Sequence, residues 1–144
     1  MESRYTRQIQ LSEIGVEGQK KIKRSKVLVV GAGGLGCPAL LYLANSGVGI
    51  LGICDSDFIE ESNLARQILY SISDIGKNKA KCAAKKLKKL NPSIQINIHP
   101  FSLSHKNALE TIENYDIIVD GTDNFSSRYL ISDSCILKNK PLVY

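Results

Sequence analysis

Six residues, Gly31-Ala32-Gly33-Gly34-Leu35-Gly36, lie between an apolar run and a helical pattern. Glycines let the backbone turn tightly and let its N–H groups approach phosphate oxygens. A helix opening near Leu35 would add partial positive charge at the same place. The chemistry this suggests is capture of the phosphates of a nucleotide by Gly31, Gly33, Gly34 and Gly36. Gly-x-Gly-x-x-Gly alone also describes an ordinary tight turn. Its meaning comes from context, and the run Lys26-Val27-Leu28-Val29-Val30 supplies the preceding strand.

Further polar groups recur where such a site needs them. Asp55 follows a second apolar run, some 20 residues past the glycines, where a carboxylate accepts hydrogen bonds from ribose hydroxyls. ATP and NAD both carry that ribose, so Asp55 does not separate them. Asp57 either shapes the next loop or joins the site. Ser62-Asn63-Leu64-Ala65-Arg66-Gln67 and then Lys79 separate the two ligands better. An NAD site leaves its pyrophosphate intact and uses few cations. Attack on the α-phosphate of ATP builds charge on a pyrophosphate leaving group, which Arg, Lys and Mg²⁺ stabilise. Arg66 offers a planar fork and Lys79 a mobile point charge. In Asp120-Gly121-Thr122-Asp123-Asn124, Asp123 can hold Mg²⁺, and Asp123 or Asn124 can cap the helix that follows.

These residues need a scaffold that brings them to one edge. Apolar runs alternate with helical patterns, which predicts βαβ units and a parallel sheet. Strands are expected at 26–30, 50–54, 94–98 and 116–120. Helices are expected at 35–45, 78–90, 106–114 and 125–137, with an amphipathic segment at 12–23. The expected fold is α/β: a Rossmann-like, open, mainly parallel sheet with helices on both faces, preceded by an N-terminal helical arm. The arm takes residues 1–24 and the ATP-binding domain residues 25–144. Ligands in such sheets lie beyond the carboxyl ends of the strands, where the glycine turn, Asp55 and Asp123 all fall. Pro141-Leu142-Val143-Tyr144 reads as the opening of one more strand, which implies a fragment of a longer polypeptide.

Composition excludes several classes. With 43% apolar and 23% charged residues the chain matches ordinary globular proteins rather than disordered ones. No stretch has the roughly 20 apolar residues of a membrane span, and residues 1–5 carry no apolar leader, so the cytoplasm is the expected location. Cys37, Cys54, Cys82 and Cys135 form no Cys-x-x-Cys pair and read as reduced core fillers. The net charge of +5 is concentrated at 20–24 and 77–89. In the second stretch Ala80, Ala83, Ala84, Leu87 and Leu90 recur at helical spacing, leaving the lysines to water; no aromatics interleave to suggest nucleic acid.

Arg4-Tyr5-Thr6-Arg7-Gln8, the glycine turn, Asp55-Ser56-Asp57, Ser62–Gln67, Lys79 and Gly121-Thr122-Asp123-Asn124 occur in this order over nearly the whole chain. Together they resemble the ThiF/MoeB/HesA adenylyltransferases, bacterial relatives of ubiquitin-activating enzymes. The resemblance implies ATP·Mg²⁺-dependent adenylylation of the C-terminal glycine of a small ubiquitin-like sulfur carrier, in thiamine or molybdenum-cofactor biosynthesis. It implies contacts to ATP from Gly34, Asp55, Ser62, Asn63, Arg66 and Lys79, and Mg²⁺ on Asp123 beside Asn124. It further implies a homodimer in which Arg7 reaches into the partner's ATP site. Zinc ligands, a crossing loop and a catalytic cysteine belong to a part of the family's sequence not present here. An NAD(P)-binding oxidoreductase and a non-catalytic activating-enzyme-like subunit remain alternative readings. So does a tRNA- or peptide-modifying adenylyltransferase within the same family.

Overall fold

The strands are β1 (Lys26–Val30), β2 (Ile50–Cys54), β3 (Gln95–His99), β4 (Ile117–Asp120) and β5 (Leu142–Val143) in a computed structural model that describes residues 3–144. They form one parallel sheet in the order β3-β2-β1-β4-β5. The helices are α1 (Thr6–Ile9), α2 (Gly15–Arg24), α3 (Gly36–Ser46), α4 (Lys79–Leu90), α5 (Ala108–Glu113) and α6 (Phe125–Leu137). The α/β class with helices on both sheet faces is thus present, and a short helical arm precedes it.

β1 carries apolar side chains on both faces because both faces are covered. Val27 and Val29 pack with Leu51, Ile53, Leu40, Ala83 and Leu87, the core shared with α3 and α4. Leu28 and Val30 point the other way, to Ile112, Ile118, Ile131 and Cys135, the core shared with α5 and α6. The four cysteines are free and buried. Among the described residues no helix is long and apolar enough to cross a membrane.

Boundaries differ from the sequence reading by local chemistry. The segment expected at 12–23 starts its helix at Gly15, whose φ of +57° sets the entry. The helix expected at 35–45 is α3, and Gly47 ends it in the left-handed conformation at φ +88°. The third strand is displaced by one residue: Gln95 makes the first ladder bond to the Gly49 carbonyl, while the Ile94 carbonyl is taken by the Lys88 ammonium. The helix expected at 106–114 shortens to α5, because the Asn107 side chain caps the Ser104 N–H and holds 104–107 as a turn. The chain's last strand pairs as β5, with Ile118 opposite Leu142.

Two features, the first turns of the arm and the β2–α4 loop, had no periodic signal. The arm is pinned by single contacts. Arg4 Nη2 donates to the Leu90 carbonyl at 2.6 Å, and the buried Asn91 donates to Tyr5 Oη at 2.9 Å. Gln8 and Gln19 both donate to the Ser46 carbonyl at the end of α3, at 2.8 and 3.0 Å. The β2–α4 loop carries 3-10 turns at Glu61–Asn63 and Ile72–Asp74. Its anchor is Asp74, which is buried and accepts from Ser71 N and Oγ at 2.9 and 2.8 Å and from the Lys86 ammonium on α4.

That anchor titrates. The Lys86 ammonium, then the Ser71 donors, hold the Asp74 carboxyl far below the usual carboxylate range despite desolvation. A folded-state pKa below the unfolded value of about 3.9 stabilises the fold above that pH and loses its contribution as pH falls toward the folded value. Asp74→Asn is expected to lower stability by roughly 1–3 kcal/mol at pH 7. The gap to wild type should narrow as pH falls from about 5 toward 2. Thermal melts of both proteins across that range check this; a constant gap would sink the assignment.

Candidate functional site

The carboxyl ends of β1, β2 and β4 open on a cleft of about 950 Å³. Its floor is the glycine turn. Gly31 N donates to the Cys54 carbonyl and Gly121 N to the Val30 carbonyl, both at 2.8 Å, so the turn is stitched to β2 and to the β4 exit. The backbones then approach closely. A β-carbon on Gly36 would lie 1.8 Å from the Gly31 carbonyl oxygen, and one on Gly31 would lie 2.8 Å from that of Gly121. Gly31 also holds φ at +91°. Gly36 therefore does not line the cleft; it seats α3 against the turn, with its N-terminus aimed at the space above Gly33 and Gly34.

Asp55 has two duties at the end of β2. Its Oδ2 accepts from Ala32 N at 2.7 Å and its Oδ1 from Asp57 N at 2.8 Å. Each oxygen keeps a further lone pair and Asp55 lines the cleft, so ribose hydroxyls remain within its capacity. Ala32 N, however, is already spent on Asp55. Among the described residues, Gly33, Gly34 and Leu35 offer turn N–H groups that donate to no other loop or side-chain acceptor. These are the donors available to an anion.

Two cations flank them. Lys79 opens α4 and only 8% of its side chain is exposed; its Nζ lies 3.6 Å from Oδ2 of the largely exposed Asp57. The Asp57 carbonyl meanwhile accepts from Lys79 N at 2.9 Å, so Asp57 both shapes the loop and pairs with the cation. Arg66 stretches beside Gly34 and donates from Nη1 to the Ser62 carbonyl at 3.1 Å. Ser62 itself contributes that carbonyl and does not line the cleft. Asn63 does; it is buried, and its Oδ1 accepts from Glu60 N at 3.0 Å, closing the turn that presents Arg66.

On the β4 side, Asn124 caps α6 by accepting from Ser127 N at 2.9 Å, which leaves Asp123 exposed at the rim. The loop is braced by Thr122, which donates from N and Oγ1 to Asp120 Oδ1 at 2.8 and 2.6 Å, and by Arg128, which donates from Nε and Nη2 to the Thr122 carbonyl at 3.3 and 3.1 Å. Among the described residues no group of three His, Cys, Asp or Glu forms a metal cage. A lone carboxylate suits Mg²⁺, which takes one or two protein carboxylates and completes its shell with phosphate oxygens and water.

Several lining groups escaped the sequence reading. Glu60, Phe101 and Ser102 face the cleft from loops with no motif. Gln67 is in the Ser62–Gln67 motif yet had no role; it is buried in the wall, and its Oε1 has no hydrogen-bond partner. Arg7 lies elsewhere. It is exposed on α1, beside the far end of α3, and is not part of this chain's own cleft. The four thiols are buried and free. Burial, and then the Asp55 charge, push Cys54 up to about 12, and burial raises Cys37, Cys82 and Cys135 as well.

The family model described as the ThiF family matches residues 5–144. The chain belongs to the ThiF family. Among curated ThiF-like relatives, the adenylyltransferase and sulfurtransferase MOCS3 of Aedes aegypti is 55% identical over 98% of this chain and 32% of its own length. A sulfur carrier protein adenylyltransferase of Thermus thermophilus is 49% identical over 98% of the chain and 52% of its own length. The chain thus spans a third to a half of these relatives. The tRNA N6-threonylcarbamoyladenosine dehydratase TcdA of E. coli, solved with ATP, shares the fold at a TM-score of 0.91 and 24% identity, over 96% of this chain and 57% of that one.

The two kinds of glycine separate experimentally. Gly36→Ala must push backbone apart and is expected to lower stability by more than about 2 kcal/mol. A β-carbon on Gly34 meets nothing closer than Arg66 Cδ and Cγ at 3.6 Å. Gly34→Ala should therefore melt within about 0.5 kcal/mol of wild type while weakening anion binding in the cleft. Thermal melts with ATP titration check both; a stable Gly36→Ala protein would contradict the close approach.

Proposed function

We propose that this chain is the ATP-binding part of an adenylyltransferase that activates the C-terminal glycine carboxylate of a small ubiquitin-like sulfur carrier. The observation that carries this reading is the buried Lys79 ammonium, brought with Arg66 to the same cleft as the free N–H groups of the glycine turn. A redox dinucleotide would explain Asp55 and the turn and leave both cations without work. The name of the sulfur carrier protein adenylyltransferase, and that of a further relative, the probable molybdopterin-synthase adenylyltransferase of Porphyra purpurea, support the carrier and its pathways.

In this reading Asp55 holds the ribose, Gly33, Gly34 and Leu35 hold phosphate through N–H groups, and Asn63, Arg66 and Lys79 hold the outer phosphates. Asp123 would hold Mg²⁺, which supplies charge neutralisation between phosphate oxygens. The carrier's carboxylate is already ionised at pH 7 and needs no base. One of its oxygens forms a bond to the α-phosphorus as the bond from that phosphorus to the β-bridging oxygen breaks; the electron pair leaves with pyrophosphate and no proton moves. The protein's task is to bring anions together and then stabilise the leaving group. The ATP-rich cytoplasm is the setting we assign.

Arg66→Ala and Lys79→Ala in the complete polypeptide are expected to slow ATP–pyrophosphate exchange by roughly 10²-fold or more each. Near-wild-type exchange in both would remove their assigned roles, and calorimetry with NAD in place of ATP would expose a misread cofactor.

Arg7, exposed and absent from its own cleft, fits the role of a cation lent to a second copy in a homodimer. Mixed dimers of Arg7→Ala and Lys79→Ala should then regain about a quarter of wild-type exchange, since half the dimers are mixed and each has one intact site. No recovery on mixing would rule out the arginine acting in trans.

A further inference from the structure

Tyr70 lies three residues past Gln67 and outside every motif that pointed to a nucleotide. It is 7% exposed. Its hydroxyl donates to the Ala32 carbonyl at 2.8 Å and shares that proton with the Lys79 carbonyl at 3.4 Å. One buried hydroxyl thus touches the main chain of both the glycine turn and the residue that carries the site's buried ammonium. Ala32 is held on its other side as well, through N–H to Asp55 Oδ2 at 2.7 Å. The Cys37 thiol gives the same carbonyl a weaker second bond at 3.3 Å.

Peptide geometry makes this contact directional. The Ala32 carbonyl and the Gly33 N–H belong to one planar trans unit and point in opposite directions. A carbonyl drawn into the core by Tyr70 therefore turns the Gly33 N–H outward, into the cleft that Gly33 lines. Gly33 has no β-carbon to fix its own orientation, so the peptide plane depends on what holds its other end.

We infer that Tyr70 is a positioning residue for nucleotide binding: by holding the Ala32 carbonyl it aims the Gly33 N–H at a phosphate oxygen of the nucleotide. The inference rests on the ATP reading of the cleft. Burial also raises the phenol's pKa well above its ordinary value, so the hydroxyl stays protonated and remains a donor at any working pH. The same contact keeps the start of α4 at a fixed distance from the turn. Phosphates bound at Gly33 then meet Lys79 without rearrangement of either element.

Tyr70→Phe removes one oxygen and keeps the ring. Calorimetry on wild type and variant with ATP·Mg²⁺ and with adenosine tests the assignment. Expected is about a tenfold weaker ATP affinity, the scale of one lost hydrogen bond, with adenosine affinity within about twofold. In the ligand-free protein the Gly33 amide resonance should shift while that of Gly76 stays in place. Equal losses for ATP and adenosine would make Tyr70 a merely structural residue. An unshifted Gly33 amide, an unchanged ATP affinity, or a variant that does not fold would each overturn the inference too. Wild type that binds adenosine and not ATP would instead overturn the ATP reading itself.

Discussion

Three backbones converge at the carboxyl edge of the sheet: the exit of β1 at Gly31, the start of α3 at Gly36 and the exit of β4 at Gly121. A β-carbon at Gly36 or Gly31 would fall inside contact distance of a neighbouring carbonyl, and one at Gly121 would lie 3.0 Å from the Gly31 oxygen. The absence of side chains lets α3 begin directly above the end of β1. Its N-terminal N–H groups then face the space that β2 and β4 border with Asp55 and Asp123. If the helix were held one side-chain diameter away, the turn would still form, but its donors would no longer share a cleft with Lys79. The close contact is a backbone property, and every polar residue of the site is placed relative to it.

The sequence made the chemically distinctive residues visible and hid the ones that act through main chain. Strand runs such as Lys26–Val30 and Ile50–Cys54 are apolar on both faces because helices cover both, and that continuity reads directly from residue types. The spacing of the glycines marks a turn, and Asp55, Arg66, Lys79 and Asp123 carry chemistry in their side chains, so all of these could be picked out. Tyr70 and Arg128 could not. Each works by donating to a carbonyl, of Ala32 and Thr122 respectively, and a carbonyl exists at every position whatever the residue. The arm was legible as a helix only over 12–23, because α1 is a single turn held by Gln8 and its neighbours through long-range contacts and has no period to detect.

Gly36 and Ser62 show a related limit. Both belong to motifs read as phosphate-binding, and motif membership does not say which members touch a ligand. Gly36 is needed for packing, and Ser62 lends its carbonyl to orient Arg66. A motif is a local fold as well as a contact list. Its most constrained positions can be those that place the contacting residue rather than make the contact.

Charge sets the last constraint on what the cleft can do alone. The described residues that line it include two cations, Arg66 and Lys79, and four carboxylates, Asp55, Asp57, Glu60 and Asp123. The chain's excess of positive charge lies mainly outside it, on α2 and α4. A lining with more acids than bases opposes a triphosphate at close range, where solvent screening is weak. Backbone N–H groups and the α3 dipole offset part of that repulsion, each over a short distance. The remainder calls for cations from outside the chain's own cleft. Mg²⁺ proposed on Asp123 would be one, and it would turn an opposing carboxylate into part of a cation site. An arginine from a second copy, as proposed for the exposed Arg7, would be another. On this argument the electrostatics of the cleft favour the composite, metal-dependent character proposed for the site: four carboxylates against two cations leave too little positive charge of the chain's own to receive the phosphates.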